Sequence, residues 1–146
     1  MPSKPPFYRQ EEPYSCVPAC LRMVLAAKGF VVSESVLRDY CDCNFLGTDA
    51  LKAVDALRSI GFYNSNKCTL RLPALMMELN AGCYPIAFLN LLPIDGINDP
   101  HAMVVIAIDD DFVNVYDPLQ GERLLPRTTF DTAWAMMRNL AILVQD

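Results

Sequence analysis

One stretch of the sequence, QEEPYSCVPACLRMVLAAKG at residues 10–29, constrains the fold more than any other. Gln10 lies six residues before Cys16, and apolar residues then recur at helical spacing, which predicts an amphipathic helix from Cys16 to Gly29. Pro18 suits the first turn of that helix, where no backbone N–H is needed. Free N–H groups and the helix dipole favour negative charge at a helix start, and a thiolate is the nucleophilic form of cysteine. Cys16 is therefore a candidate nucleophile, for which the rest of the chain should supply a base.

The composition limits the classes of protein to which the chain can belong. A length of 146 residues with 53% hydrophobic and 20% charged residues suits one packed domain, residues 1–146, in which the proline-rich residues 1–9 form an extended arm. The net charge of −5 disfavours a nucleic-acid partner. No apolar run reaches the roughly 18 residues that span a bilayer, so direct membrane insertion is not expected. The first residues lack the apolar core of a secretory signal, and we expect a cytoplasmic protein.

The first half of the chain carries helical signals. After the first helix, three more are predicted: from Ser33 or Ser35 to about Cys43, from Thr48 to Gly61, and between Pro73 and Gly82. In the second of the four helices, Val36, Leu37 and Tyr40 recur at helical spacing and form its expected apolar face. Thr48 is the expected N-cap of the third.

The pattern changes after Gly82. Short runs rich in β-branched and aromatic residues predict strands at residues 84–90, 101–109 and 112–117. Two further candidate strands, 123–125 and 141–144, lie on either side of a helix predicted over residues 128–138. Residues 91–100, LLPIDGINDP, have the composition of a loop. Helices followed by an antiparallel sheet give an α+β fold.

His101 is the only histidine in the chain, so any cysteine–histidine chemistry must use it. A lone histidine beside an apolar strand is usually structural, but the hairpin that follows gives it a partner. If a three-residue turn, Asp109–Asp111, joins the two strands, Met103 faces Asp117. His101 then shares a face with Asp117 within side-chain reach, whereas a two-residue turn would put the two on opposite faces. An aspartate in that position would fix the imidazole tautomer and stabilise its cation.

Gln10 is the candidate for a further catalytic role. Its side-chain amide and the Cys16 backbone N–H can donate to the oxyanion of a tetrahedral intermediate, and losing one such donor typically costs about 2.7–4 kcal/mol. Taken alone, Gln10 beside two glutamates is more typical of a surface residue, and Asp117-Pro118 is more typical of an ordinary turn. The order Gln10, Cys16, His101, Asp117 favours a catalytic set.

The other cysteines have simpler interpretations. Cys41 and Cys43 form a C-x-C pair, but no cysteine spacing matches a common zinc site, and neither a cofactor nor a metal ion is expected. Cys20, Cys68 and Cys83 are predicted core residues because a buried free cysteine behaves as a small hydrophobe. A redox or metal-binding domain built on these cysteines is an alternative.

Together these motifs resemble the papain-like cysteine peptidases that process bacteriocin leader peptides at double-glycine sites, either as domains of ABC exporters or as standalone relatives. The resemblance covers nearly the whole chain. It is carried by Gln10 with CVPACLRMVLAAKG, by Gly47-Thr48-Asp49, by Pro85-Ile86-Ala87, by HAMVVIAID from His101, by YDPLQGERLL with Asp117, and by Phe130 and Trp134 of the closing helix. Family members commonly have a glycine directly after the nucleophile, where this chain has Val17.

The resemblance implies a papain-like fold with the N-terminal helical half packed on a C-terminal antiparallel sheet. Cys16 would attack the scissile carbonyl, and His101 would accept its proton and later protonate the leaving amine. Asp117 would orient His101, and Gln10 would stabilise the oxyanion. The implied substrate is a peptide or leader peptide cut after small residues in the cytoplasm, with an ABC exporter as a candidate partner. The alternatives are a catalytically silent module that binds a peptide or a transporter, and an acyltransferase that uses the same thioester chemistry.

Overall fold

A computed structural model describes residues 4–146, and these residues form helices and one antiparallel sheet, which confirms the predicted α+β class. The helices are α1 (Cys16–Ala27), α2 (Glu34–Tyr40), α3 (Ala50–Ser59), α4 (Leu72–Asn80), α5 (Leu92–Asp95) and α6 (Arg127–Ala135). The strands are β1 (Asn66–Thr69), β2 (Ile86–Asn90), β3 (Pro100–Ile108), β4 (Phe112–Asp117), β5 (Gly121–Pro126) and β6 (Leu140–Leu143). Over residues 4–146, no helix is long and apolar enough to cross a membrane.

The sheet has the order β1-β6-β2-β3-β4-β5, and both of its faces are covered. On one face, apolar residues of α1, α2 and α3 pack against β2 and β3. On the other face, Phe130 and Trp134 of α6 are fully buried against the sheet together with Leu75 of α4. Burial of apolar side chains on both faces fixes the position of α1, the helix that begins at Cys16, against the centre of the sheet.

The hairpin that joins β3 to β4 has the predicted register but a different turn. The backbone N–H of Asp109 donates to the carbonyl of Phe112 at 2.9 Å, so the turn contains two residues and the expected three-residue turn is wrong. A β-bulge compensates, because Ile106 is one extra residue on β3. Beyond the bulge, Val104 pairs with Tyr116, as the predicted register requires. The bulge cancels the one-residue shift that the shorter turn introduces, so the side chains near the start of β3 keep the expected face.

Most helices form where the sequence predicts them, although their ends and caps differ. Asp49, and not Thr48, is the N-cap of α3, and its side chain accepts from the Leu51 N–H at 2.8 Å. Within α2, Leu37 is buried, but the expected apolar residues Val36 and Tyr40 are exposed. The short helix α5 lies inside the segment predicted to be a loop, and the edge strand β1 has no counterpart among the predicted strands.

The N-terminal arm lies along the end of the hairpin. Residues 1–3 of the predicted arm lie outside the described residues, and residues 4–9 form neither helix nor strand. The ring of Phe7 packs edge-on against Tyr116 with centroids 5.7 Å apart, and Lys4 Nζ lies 3.5 Å from Glu122 Oε2. At the end of the arm, the Gln10 N–H donates to the carbonyl of Pro118 at 2.8 Å. These contacts fix Gln10 beside the C-terminal end of β4.

Candidate active site

Cys16 is the first residue of α1 and is half-buried. The helix that carries it is held by its buried face, in which Leu21 and Leu25 are fully buried. One turn after Cys16, the buried Cys20 thiol donates to the carbonyl of Ala102 at 3.5 Å, which ties the start of α1 to the start of β3. Since Ala102 directly follows His101, this contact brings the candidate nucleophile and the candidate base to the same end of the sheet.

His101 contacts Asp117, as the sequence predicts. His101 Nε2 lies 2.7 Å from Asp117 Oδ1, and both side chains are buried. Burial alone would lower the pKa of His101, but the hydrogen bond to Asp117 and the neighbouring Cys16 side chain outweigh it and raise the pKa to about 9. The imidazole is therefore cationic at neutral pH, next to an anion that stabilises this form.

Asp117 is held from three sides. Its Oδ1 accepts from the Leu119 N–H at 2.9 Å in addition to its contact with His101, and its Oδ2 accepts from Arg123 Nη1 at 3.1 Å. Burial raises the pKa of Asp117, but these hydrogen bonds and the charge of His101 exceed that effect, so the pKa is lowered. Arg123 is held in turn by Asp95 of α5, with Nη2 2.7 Å from Oδ1. The carboxylate is thus both ionised and fixed in orientation.

The sequence interpretation did not identify Arg123 and Asp95. Gly121 opens β5 with a φ of 102°, a conformation that suits glycine, and it pairs with Asp117 across a tight turn. In an antiparallel hairpin with this register, Arg123 shares a face with Asp117. The turn residues Pro118–Gly121 therefore carried a sequence signal for Arg123. The sequence carried no such signal for Asp95, because its contact with Arg123 depends on where α5 lies in the fold.

Gln10 lies near Asp117 in the fold, and among the hydrogen bonds of residues 4–146 none joins its side chain to Cys16. Gln10 is 8% exposed, and its Nε2 donates to the carbonyl of Glu12 at 2.8 Å. Within residues 4–146, its Oε1 has no hydrogen-bond partner. An amide nitrogen has two hydrogens, so one remains available for a further acceptor.

An open cleft of about 260 Å³ borders Cys16 and His101. Its remaining wall comes from the loop before α1 and α1 itself, from the segment before α3, from β2, and from the start of β3 with the residue before it: Pro13, Tyr14, Val17, Phe45, Leu46, Gly47, Thr48, Phe88, Asp99, Pro100 and Ala102. The exposed apolar side chains of Phe45 and Leu46 stand at its edge. An extended peptide placed here would pass next to the Cys16 thiol.

All six cysteines are free thiols. Cys20 and Cys83 are buried as predicted, whereas Cys68 is only half-buried. Burial raises the pKa of each of these three thiols, that of Cys83 to about 11. Burial also raises the pKa of Cys41, to about 12.

Comparison with known proteins identifies the family of the chain and shows similar folds. The sequence model described as the peptidase C39 family matches residues 4–146. A putative C39-like peptidase from Bacillus anthracis has a similar structure, with a TM-score of 0.80 at 18% identity over 97% of this chain and 94% of that chain. A double glycine motif protease from an AMS/PCAT transporter, solved in complex with the leader peptide, gives a TM-score of 0.75 at 22% identity. The match covers 95% of this chain and 89% of that chain. The peptidase domain of Streptococcus ComA, a bifunctional ABC transporter, gives a TM-score of 0.73 at 22% identity. The match covers 95% of this chain and 97% of that chain. No curated protein sequence matches the chain.

Proposed function

Since the chain belongs to the peptidase C39 family and is a cysteine-type peptidase, we propose that Cys16 is its nucleophile, His101 its general base and acid, and Asp117 the residue that orients His101. The observation that carries this proposal is the 2.7 Å contact between His101 Nε2 and Asp117 Oδ1, buried at the end of the sheet where α1 begins with Cys16. The pairing leaves the other ring nitrogen, Nδ1, to exchange a proton with the Cys16 thiol.

The reaction begins from the ion pair in which His101 already carries the proton of Cys16, so that a thiolate lies beside an imidazolium. The thiolate attacks the scissile carbonyl and forms a C–S bond, while the carbonyl oxygen takes the negative charge. When the tetrahedral intermediate collapses, His101 Nδ1 gives its proton to the leaving amine and the C–N bond breaks. His101 then takes a proton from water, which attacks the thioester and releases the acid product with free Cys16. Asp117 stabilises the imidazolium each time it forms.

The oxyanion is stabilised by two donors, the Cys16 backbone N–H and the Gln10 side-chain amide. The Cys16 N–H is one of the free N–H groups at the start of α1 and has no acceptor within that helix. Gln10 is held beside Asp117 by its backbone bond to Pro118, and one hydrogen of its Nε2 remains after the bond to Glu12.

Replacing Gln10 with alanine should lower kcat by about 10²–10³-fold and leave KM nearly unchanged, because the lost donor acts on the charge that develops in the transition state. Steady-state kinetics on a peptide substrate provide the measurement. Gln120→Ala is the matched control, since Gln120 is exposed in the turn after β4. A variant at Gln10 with unchanged kcat would remove it from the oxyanion site.

The proposed substrate is a peptide, cut after small residues, such as the leader of an exported peptide. Membership of the family supports this choice, and a related double-glycine protease was solved in complex with a leader peptide. The cleft is consistent with a peptide substrate, because it is open to solvent and borders both Cys16 and His101. An ABC exporter is the proposed partner, and the cytoplasmic side of the membrane the proposed site of cleavage, since other relatives are transporter domains.

Alkylation by iodoacetamide, read cysteine by cysteine by mass spectrometry, tests the proposed Cys16–His101 pair. At about pH 6, well below the ordinary thiol pKa, Cys16 should react first because the neighbouring imidazolium stabilises its thiolate. Cys43 and Cys68 are internal controls, as they are also half-buried but burial raises the pKa of both. The advantage of Cys16 should disappear in His101→Ala. Equal reaction of the three thiols in the native protein would argue against an activated nucleophile and for a silent binding module.

Product masses distinguish hydrolysis from acyl transfer. Hydrolysis adds one water to the two fragments together, whereas transfer adds the acceptor to the acyl fragment. We expect only the water adduct, and an acceptor adduct would reassign the chain to the transferases.

A further inference from the structure

We propose that Glu34, on α2, is a positioning residue that holds the oxyanion donors in place. We call residues 10–15 the oxyanion loop, since it begins with Gln10 and ends at the residue before Cys16. The proposal rests on the proposed function, in which Gln10 and the Cys16 N–H are these donors. Glu34 itself does not touch the reacting atoms and acts through the loop.

A single carboxylate oxygen joins the two ends of the oxyanion loop. Glu34 Oε1 accepts from the Glu11 N–H at 2.9 Å and from Ser15 Oγ at 3.1 Å. Glu11 directly follows Gln10, and Ser15 directly precedes Cys16. The two contacts therefore fix the residues adjacent to both oxyanion donors from one point.

The contacts continue inside the loop as far as the Gln10 amide. Ser15 Oγ, which is bonded to Glu34, also accepts from the Glu12 N–H at 3.0 Å. The carbonyl of Glu12 accepts from Gln10 Nε2 at 2.8 Å. A displacement of Ser15 would therefore be passed through Glu12 to the side chain proposed to bind the oxyanion.

The burial of Glu34 indicates a role other than stability. Glu34 is fully buried, and Arg38 Nε lies 3.1 Å from its Oε2 as the compensating charge. Arg38 itself is half-buried, but the Glu34 carboxylate is costly to desolvate, and such charges often contribute less to stability than apolar side chains of the same volume. Oε1 accepts both of its hydrogen bonds from the oxyanion loop. The carboxylate at this position therefore serves to fix the geometry of that loop.

Replacement of Glu34 by glutamine provides the test. The amide keeps the size of the side chain, but its NH2 group then faces either Arg38 or the two loop donors, and the loop loses its fixed position. We expect kcat to fall between roughly tenfold and 100-fold with KM nearly unchanged, since small misplacements of catalytic groups have effects of this size. In a Gln10→Ala background the same substitution should have a clearly smaller effect, because one of the two donors it positions is already gone.

Glu78→Gln is the matched control, a half-buried carboxylate on α4 with no contact to the oxyanion loop. If Glu34→Gln fails to fold, Ser15→Ala decides, because it removes the Ser15 contacts with Glu34 and Glu12 while Glu34 keeps its bond to the Glu11 N–H, and it should lower kcat in the same Gln10-dependent way. An equal fold-change in both backgrounds, or unchanged kcat, would overturn the proposal. If Gln10→Ala itself leaves kcat unchanged, the assignment of the oxyanion donors is wrong. If Gln10→Ala lowers kcat but Glu34→Gln does not, only the positioning role of Glu34 is wrong.

Discussion

Replacing Cys16 with alanine is expected to abolish peptide cleavage while leaving the fold and peptide binding intact. Without the sulfur no thioester can form, and the expected loss in kcat is on the order of 10⁶-fold, the size seen when a triad nucleophile is removed. The fold should persist because α1 is held by fully buried residues such as Leu21 and Leu25, and not by the half-buried Cys16 thiol. Timed mass spectrometry of a leader-peptide substrate, together with Tm, measures both expectations.

Cys68→Ala is the matched control for this substitution. Cys68 is also half-buried, but it lies on β1 at the edge of the sheet, two strands away from β2. This control should cleave at the native rate, and Cys16→Ala should still bind the peptide. If Cys16→Ala still cleaves the peptide, Cys16 is not the nucleophile. If the native protein binds the peptide as well as the variant does but does not cleave it, the chain is a silent binding module.

The end of the sheet with the proposed catalytic residues could be predicted because local sequence signals agreed there. The helix after Cys16, the strand after His101 and the strand before Asp117 each have a clear hydrophobic pattern. The register of the hairpin then brings His101 and Asp117 together. The turn itself was predicted wrongly, since nothing in the sequence distinguishes a two-residue turn with a bulge at Ile106 from a three-residue turn without one. Both give the same register at His101, because burial of one face selects the register whatever the turn.

The residues that support the site could not be predicted in the same way. In α2 the apolar period favoured Val36 and Tyr40 for the core, yet both are exposed and Glu34 is buried. Periodicity assumes that charged side chains face solvent, and Glu34 departs from this because the oxyanion loop donates to its Oε1 and the Arg38 cation lies 3.1 Å from its Oε2. Such partners come from distant parts of the chain, so local patterns carry little information about them.

Replacing Asp117 with asparagine should lower kcat by about 10⁴-fold, as loss of the carboxylate does in a comparable nucleophile–histidine–aspartate triad. Arg123 Nη1 donates to Oδ2 of Asp117 as a charged group, whereas the Leu119 N–H donates to Oδ1 as a neutral one, so the new amide should turn its oxygen to Arg123 and its NH2 group to His101 and lose the bond from Leu119. Nε2 of His101 must then accept a hydrogen bond, which places the ring proton on Nδ1, the nitrogen that should receive the proton of Cys16. Steady-state kinetics measure the loss, with Asp131→Asn, an exposed residue of α6, as the control.

The pH profile gives a second readout of the same substitution. Because the pKa of His101 is raised to about 9, the native imidazolium persists below that pH, and activity should fall as pH rises through it, when no proton remains for the leaving amine. Asp117→Asn removes the hydrogen bond and the negative charge that raise this pKa, so the alkaline limb should move to lower pH. An unshifted limb would mean that another group controls it.

Adding Arg123→Met to Asp117→Asn should restore part of the lost activity. Without the guanidinium, the amide oxygen is free to face His101 and the Leu119 N–H, the two groups that Oδ1 of Asp117 contacts in the native protein. His101 then regains the tautomer with its proton on Nε2, although not the stabilising charge, so recovery should be incomplete. If the double variant is as inactive as Asp117→Asn alone, the amide orientation is not set by Arg123. The loss would then come from the missing charge rather than from the tautomer of His101.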